Sequence, residues 1–381
     1  MKVVIRTDAS TNIGGGHVMR CLALAKELKR SGALITFISR RHNGNLNQLI
    51  SKKGFNVVEL QKPNSKKNEK SKNSQNSHTD YDWLGIAEIK DAEDTIKIVG
   101  CNKPDWLIVD HYSLGEKWEN RLRSHVKKIM VIDDLANRKH DCDMLLDQTY
   151  QRADEEYTTY VDKSCVLLVG TKYALIRHQF KILRERAINR RSKYSTIKNV
   201  LVTMGSTDPH DLTSLVIDAL SKINWVLKPE ITLVLTSNFP HIQNVNKKAL
   251  LSKLDISIKK NVSNMAELML EADIAIGCSG STSWERCCMG LPTVIVIDSS
   301  NQKAIGMSLV ESGAAFLVSN TSQIVEGISN AVDKLKDNHK YYNVMFKTAI
   351  KLADGQGVKR VVGRIINQEA IVDGKLARIL G

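Results

Sequence analysis

The chain has 381 residues, 42% hydrophobic and 25% charged, which reads as a globular protein of two domains at about 150 residues per domain, three at most. No run approaches the roughly 18 uninterrupted apolar residues that span a bilayer, and Met1-Lys2-Val3-Val4-Ile5-Arg6 lacks the apolar stretch of a secretory signal, so secreted, membrane-spanning, collagen-like and disordered classes are set aside. Lys and Arg number 55 against 41 Asp and Glu, a net charge of +14, and that excess points to an anionic partner: nucleic acid, a lipid surface or a phosphorylated small molecule.

The opening reads strand, loop, helix. Val3 to Arg6 is a short apolar strand and Thr7 to Gly16 a polar, glycine-rich loop. Val18, Cys21, Leu22, Ala25 and Leu28 then recur at helical spacing, and Gly32 closes that helix. Leu34 to Ile38 is a second strand, and strand-like runs follow at Asn56–Leu60, Trp106–Val109, Lys128–Ile132 and Cys165–Val169. Between Lys62 and Asp80 apolar side chains almost vanish, and this polar insertion is expected to form a mobile surface loop. Arg184 to Lys198 is dense in Arg and Lys with little periodicity and reads as a linker. The pattern then restarts, with a strand at Asn199–Thr203, a turn at Met204–Asp208 and a helix at Leu212–Leu220. Further strands follow at Ile231–Thr236, Ile256–Ile258, Ile274–Gly277 and Thr293–Ile297.

Alternating strands and helices imply parallel sheets covered on both faces. The expected organisation is residues 1–183 as an N-terminal Rossmann-like domain, 184–198 as a basic linker, and 199–381 as a C-terminal nucleotide-binding domain. The last helix is expected to pack back on the N-terminal domain. Ligands of such sheets sit beyond the carboxyl ends of the strands, so a cleft between the two halves is the expected site. The seven cysteines are odd in number and form no Cys-x-x-Cys, as in a reduced, cytoplasmic protein without a zinc site. Cys287-Cys288 reads as packing in an apolar helix.

Five loops carry candidate chemistry. The first, Asp8 to Arg20, holds Gly14-Gly15-Gly16-His17. It is no dinucleotide fingerprint, because Met19 stands where a third glycine is required and a long loop separates the glycines from the strand. The glycines allow close backbone approach to a ligand. His17 sits where loop becomes helix, and amide donors there favour the neutral ring. It is either a general base or a helix cap. Asp110-His111-Tyr112 and Asp133-Asp134 stand at strand ends, where Asp110 or Asp133 would orient His17 or cap a helix. In the second half, Met204-Gly205-Ser206-Thr207-Asp208 and Gly277 to Arg286 each join a strand to a helix. They offer amides and hydroxyls to an anion, without the Gly-Lys-Ser/Thr of a P-loop. Glu285 is placed to accept from ribose hydroxyls. Together these loops describe a nucleotide-diphosphate site facing a catalytic group.

With these motifs the chain resembles the UDP-sugar hydrolases of pseudaminic acid biosynthesis, related to MurG-type glycosyltransferases. The resemblance is carried by Arg6-Thr7-Asp8 with Ile13 to His17 and Arg20, by Asp110-His111-Tyr112, by Tyr173 to Arg177, by Met204 to Asp208, and by Ser281 to Glu285. It runs from Met1 to about Ile366, interrupted by the 62–80 insertion. It implies an α/β, GT-B-like fold of two Rossmann-like domains facing a central cleft. It also implies hydrolysis of UDP-2,4-diacetamido-2,4,6-trideoxy-β-L-altropyranose to UDP and the free sugar, with inversion and no metal; beside it, no cofactor is expected, and the protein is expected to be a cytoplasmic monomer. His17 is then the base. Gly15, Gly16, Asp110, Tyr112, Arg177, Gly205, Ser206, Thr207, Asp208, Asp211, Ser281, Thr282, Ser283 and Glu285 are the expected substrate contacts. Two other readings compete: a GT-B glycosyltransferase, which would need an acceptor, and a basic nucleic-acid binder acting through Lys66–Lys72 and Arg184–Arg191. The second lacks the interleaved aromatics and the recognised module that such a protein needs, so the expected partner is a small-molecule UDP-sugar, without nucleic acid or membrane.

Overall fold

Short runs of Val, Ile and Leu, most of them followed by a helix, build two sheets in which every strand pairing is parallel. Parallel neighbours need a crossover rather than a tight turn, and helices supply most of these crossovers. The computed structural model describes residues 1–63, 83–100, 103–205, 208–236, 239–299, 302–319 and 322–379. Most of the 62–80 insertion lies outside the described residues. The chain divides into two units, one of 1–148, 152–175 and 357–381, the other of 149–151 and 176–356.

The first unit runs β1 (Lys2–Thr7), α1 (Gly16–Arg30), β2 (Leu34–Arg40), α2 (Asn47–Lys52), β3 (Asn56–Leu60), α3 (Glu88–Val99), β4 (Trp106–Asp110), α4 (Glu116–Leu122), β5 (Lys128–Ile132), β6 (Met144–Asp147) and β7 (Val166–Val169). Its strands lie in the order β3-β2-β1-β4-β5-β6-β7. All five residues of β4 are buried, as expected for a central strand covered on both faces. On one face Val18, Leu22, Leu24 and Leu28 of α1 join Ile5, Phe37, Ile108 and Met130 in one core; on the other, Trp118, Leu122, Leu107, Ile129 and Tyr157 form a second.

The second unit runs α5 (His178–Ser192), β8 (Asn199–Thr203), α6 (Leu212–Lys222), β9 (Glu230–Leu235), α7 (Ile242–Leu251), β10 (Asp255–Lys260), α8 (Met265–Glu271), β11 (Ile274–Cys278), α9 (Ser281–Cys288), β12 (Thr293–Ile297), α10 (Lys303–Glu311), β13 (Ala315–Ser319), α11 (Ile324–Asp337) and α12 (His339–Leu352). Its sheet order is β10-β9-β8-β11-β12-β13, the order of a doubly wound nucleotide-binding sheet. The chain then returns to the first unit as α13 (Gly357–Ile379). There Val358, Val361, Val362 and Ile365 complete the core around α1.

The basic stretch expected to be a linker is instead largely helix. Within the second unit Arg184 donates to the carbonyls of Ile350 at 2.6 Å and Ala353 at 2.8 Å, and the buried Arg191 to those of Ala272 at 2.7 Å and Met289 at 2.8 Å. The unit boundary accordingly falls at Leu175/Ile176 rather than at residue 184. These guanidiniums are committed to backbone and do not form a free basic patch. Among the described residues no helix is long and apolar enough to cross a membrane.

Candidate functional site

In the first sheet the strand order reverses between β1 and β4. Their carboxyl ends, where Thr7 pairs with Asp110, are therefore the topological switch point at which such sheets bind ligands. The loop after β1 is pinned from below. Asp8 accepts from Arg6 at 2.5 and 2.9 Å and from the Arg40 amide at 2.7 Å, all three residues being buried. Ser10 Oγ accepts from the Ile13 amide at 2.9 Å, and Gly14 takes φ 77°, which favours glycine. Gly15 is the N-cap of α1, where a Cβ would lie 3.0 Å from Leu46; Gly16 begins the helix and is exposed.

His17 is the second helical residue, and its side chain does not cap. Nδ1 lies 2.6 Å from Asp110 Oδ1. Arg20, one turn on and so on the same helical face, clamps Asp110 in a bidentate pair at 2.7 and 2.8 Å. It also donates to Asp134, which accepts from the Tyr112 hydroxyl at 2.9 Å. Burial alone would raise the pKa of Asp110. The Arg20 charge and then His17 overcome burial and hold the carboxyl well below the usual range. An ionised Asp110 can only accept, so Nδ1 carries the proton and Nε2 remains the ring's acceptor. The ring is enclosed edge-on by Tyr112, at 4.7 Å between centroids, and by Trp83 at 5.7 Å, and these two stack on each other at 5.1 Å. His17 itself is 7% exposed.

The structure thus brings His17, Asp110 and Tyr112 together, with Arg20, Asp134 and Trp83, to which the sequence reading gave no role. Asp133, the alternative partner for His17, is occupied elsewhere. It accepts from the Ala136 amide at 2.9 Å, Arg138 at 2.7 Å and the Tyr157 hydroxyl at 2.9 Å, and so braces its own loop. Cys21 donates to Asp110 at 3.3 Å; burial and that carboxylate push its thiol far above the ordinary range.

The second sheet reverses between β8 and β11, and both expected anion loops follow those strands. Gly205 takes φ 98°; Ser206 and Thr207 lie outside the described residues. Asp208, expected to contact substrate, caps the start of a helix. It is 1% exposed and accepts from the amides of Leu212 at 2.7 Å and Thr213 at 2.8 Å and from the Thr213 hydroxyl at 2.6 Å. Its carboxylate thereby takes the helix-start amides of α6. Asp211, the N-cap residue of α6 at φ 52°, accepts from the Asn244 side chain.

At α9, Ser281 and Thr282 are half-buried in the first turn. Ser283, the third expected hydroxyl, is 1% exposed, and its Oγ accepts from Arg286 at 3.0 Å and from the Gly280 amide at 3.3 Å. It therefore braces the turn. Glu285 and Arg177 meet in a bidentate ion pair at 2.6 and 2.8 Å; burial disfavours the Arg177 charge, but Glu285 outweighs it and raises the pKa. Gly277 has a steric reason: a Cβ would lie 2.4 Å from the Thr203 carbonyl and 2.6 Å from Arg286 Nη1. Among the described residues no group of three or more His, Cys, Asp or Glu side chains is arranged to hold a metal ion.

Residues 199–361 match the family model of the glycosyltransferase family 28 C-terminal domain. Over 96% of this chain and 99% of its own, the crystal structure of Acinetobacter baumannii MurG superposes with a TM-score of 0.66 at 16% identity. The fold is GT-B. Among curated proteins, the UDP-2,4-diacetamido-2,4,6-trideoxy-β-L-altropyranose hydrolase of Campylobacter jejuni is 26% identical over 82% of this chain and 97% of its own length. An uncharacterised protein of Methanocaldococcus jannaschii is 28% identical over 80% of this chain. The match spans 57% of the length of that archaeal protein.

Proposed function

We propose that this GT-B protein hydrolyses a UDP-linked sugar, UDP-2,4-diacetamido-2,4,6-trideoxy-β-L-altropyranose, to UDP and the free sugar with inversion. The observation that carries the reading is the Arg20–Asp110–His17 chain at the first switch point. A carboxylate fixed by a buried guanidinium fixes the imidazole tautomer in turn, the arrangement a general base needs. The similarity to the Campylobacter hydrolase supports the choice of substrate. In this reading Nε2 of His17 takes a proton from water as its oxygen bonds to the anomeric carbon. The bond from that carbon to the UDP oxygen breaks, and UDP leaves as the anion. The second unit holds UDP, with the turns after β8 and β11 at the diphosphate and Glu285 at the ribose. Tyr112 and Trp83 bound the space around His17.

The family 28 match over residues 199–361 favours a second reading, transfer of the sugar to an acceptor. One assay separates the two. The purified protein is incubated with the UDP-sugar and no acceptor, and UDP and free sugar are followed by chromatography. Stoichiometric release of both is expected, and α-configured sugar in the first turnovers marks inversion of the β-linked donor. No release without an acceptor supports the transferase.

A further inference from the structure

Arg286, the sixth residue of α9, is 1% exposed, and among the described residues it forms no ion pair. Its neighbour Glu285 gives both oxygens to Arg177. Nη2 donates to the Cys278 carbonyl at 2.7 Å and to Ser283 Oγ at 3.0 Å, so the guanidinium lies beneath the turn that joins β11 to α9. Nε and Nη1 are buried and have no hydrogen-bond partner among the described residues. Gly277 is what lets Nη1 reach this position. A void of about 10 Å³ beside it, lined in part by Ser283, Thr293 and Leu309, has room for about one water and not for an anion. Such a water would satisfy an N–H without neutralising the charge.

A buried cation without a counter-charge is costly, and burial pushes this guanidinium below its ordinary range. The turn above it begins a helix, and the amides of Ser281 and Thr282 are among those a helix leaves without intrahelical partners. Positive potential from the helix start and from Arg286 therefore coincides on one turn.

We propose that Arg286 is a positioning residue for the diphosphate of a bound nucleotide: from beneath the 278–283 turn its charge favours phosphate on the turn, and the bound anion supplies the missing counter-charge. This rests on the UDP-binding reading above and adds a residue that acts on the phosphates without touching them.

The test is calorimetry of UDP and of uridine on wild type, Arg286→Lys and Arg286→Met. Coulomb attraction between unit charges at an effective dielectric of about 20, over separations of roughly 8–12 Å, predicts that Arg286→Met weakens UDP roughly ten- to thirtyfold while uridine stays within about twofold. Arg286→Lys keeps the charge and most of the UDP affinity. Unchanged UDP affinity in folded Arg286→Met overturns the inference. So does an equal loss for uridine and UDP, which marks a merely structural arginine. If Arg286→Met does not fold, Arg286→Gln against Arg286→Lys carries the same comparison, with selective loss of UDP expected in Arg286→Gln alone. Wild type that binds no UDP defeats the function proposed above, and this inference with it; wild type that binds UDP no better than Arg286→Met does defeats this inference alone.

Discussion

At the scale of single residues, His17 and Asp110 separate into distinct roles that substitution resolves. In the hydrolysis proposed above, His17→Asn or His17→Phe removes the proton acceptor and leaves the second unit unchanged. Its kcat and kcat/KM are expected to fall together by roughly 10² to 10⁴, while calorimetry shows UDP binding retained. Asp110→Asn is expected to lower kcat as well, and it carries a separate mark in stability. The folded-state pKa of Asp110 is depressed, with Arg20 and His17 outweighing burial. Its stabilisation is therefore complete above the unfolded-state value of about 3.9 and is lost as pH falls toward the lower folded value. The gap in unfolding free energy between wild type and Asp110→Asn, measured in urea, should be constant above about pH 5 and narrow below about pH 4. A constant gap down to pH 2 would show that Asp110 is not the ionised partner. The sequence placed His17 at a helix start and Asp110 at a strand end but left Asp133 as an equal alternative. Strand order settles that choice, because β1 lies beside β4 and not beside β5. The signal missed was Arg20, three residues after His17 and therefore on its face of the helix.

At the scale of elements, the end of β11 and α9 bury three cysteines. Burial pushes the thiols of Cys278 and Cys287 up to about 12 and that of Cys288 to about 11. At pH 8 these thiols stay protonated, so iodoacetamide should leave all three unlabelled in the native protein and label them once it is unfolded. Native labelling of Cys287 or Cys288, read by peptide mass spectrometry, would show that α9 opens. The central strands were legible because their apolar runs are long and bounded by turns. β6 was not: Met144-Leu145-Leu146-Asp147 is four residues long and lies between polar stretches. α5 was mistaken for a linker for a different reason. Only Phe180, Ala187 and Arg191 are buried along its 15 residues, so it has no apolar stripe to read. Its arginines hold it by donating to carbonyls distant in sequence, and hydrophobic spacing does not register such bonds. In sequence alone Asp208 and Ser283 read equally as helix caps and as ligand contacts, because the same small polar side chains serve both, and the bracing bonds appear only in the structure.

At the scale of the whole molecule, the first unit is built from residues 1–148 and 152–175 and, after most of the second unit, 357–381. Val358, Val361, Val362 and Ile365 lie in the same core as Val18 and Leu22. At roughly 1.5–3 kcal/mol for each buried side chain, losing them costs an amount comparable to the whole stability of a domain, about 5–15 kcal/mol. A fragment of residues 1–175 is therefore expected to lack a cooperative urea transition, whereas 176–356, which holds a complete six-stranded sheet, should show one. Cooperative unfolding of the first fragment would mean that α13 is dispensable. The same discontinuity bears on synthesis in the cell. With α13 encoded about 180 residues after Leu175, a ribosome adding roughly 5–20 residues per second delays closure of the first core by on the order of 10–40 s. During that interval the apolar face of α1 stays open to chaperones while residues 176–356 are still being synthesised. A stop codon anywhere before α13 would leave a nascent product with that face uncovered, open to aggregation or degradation.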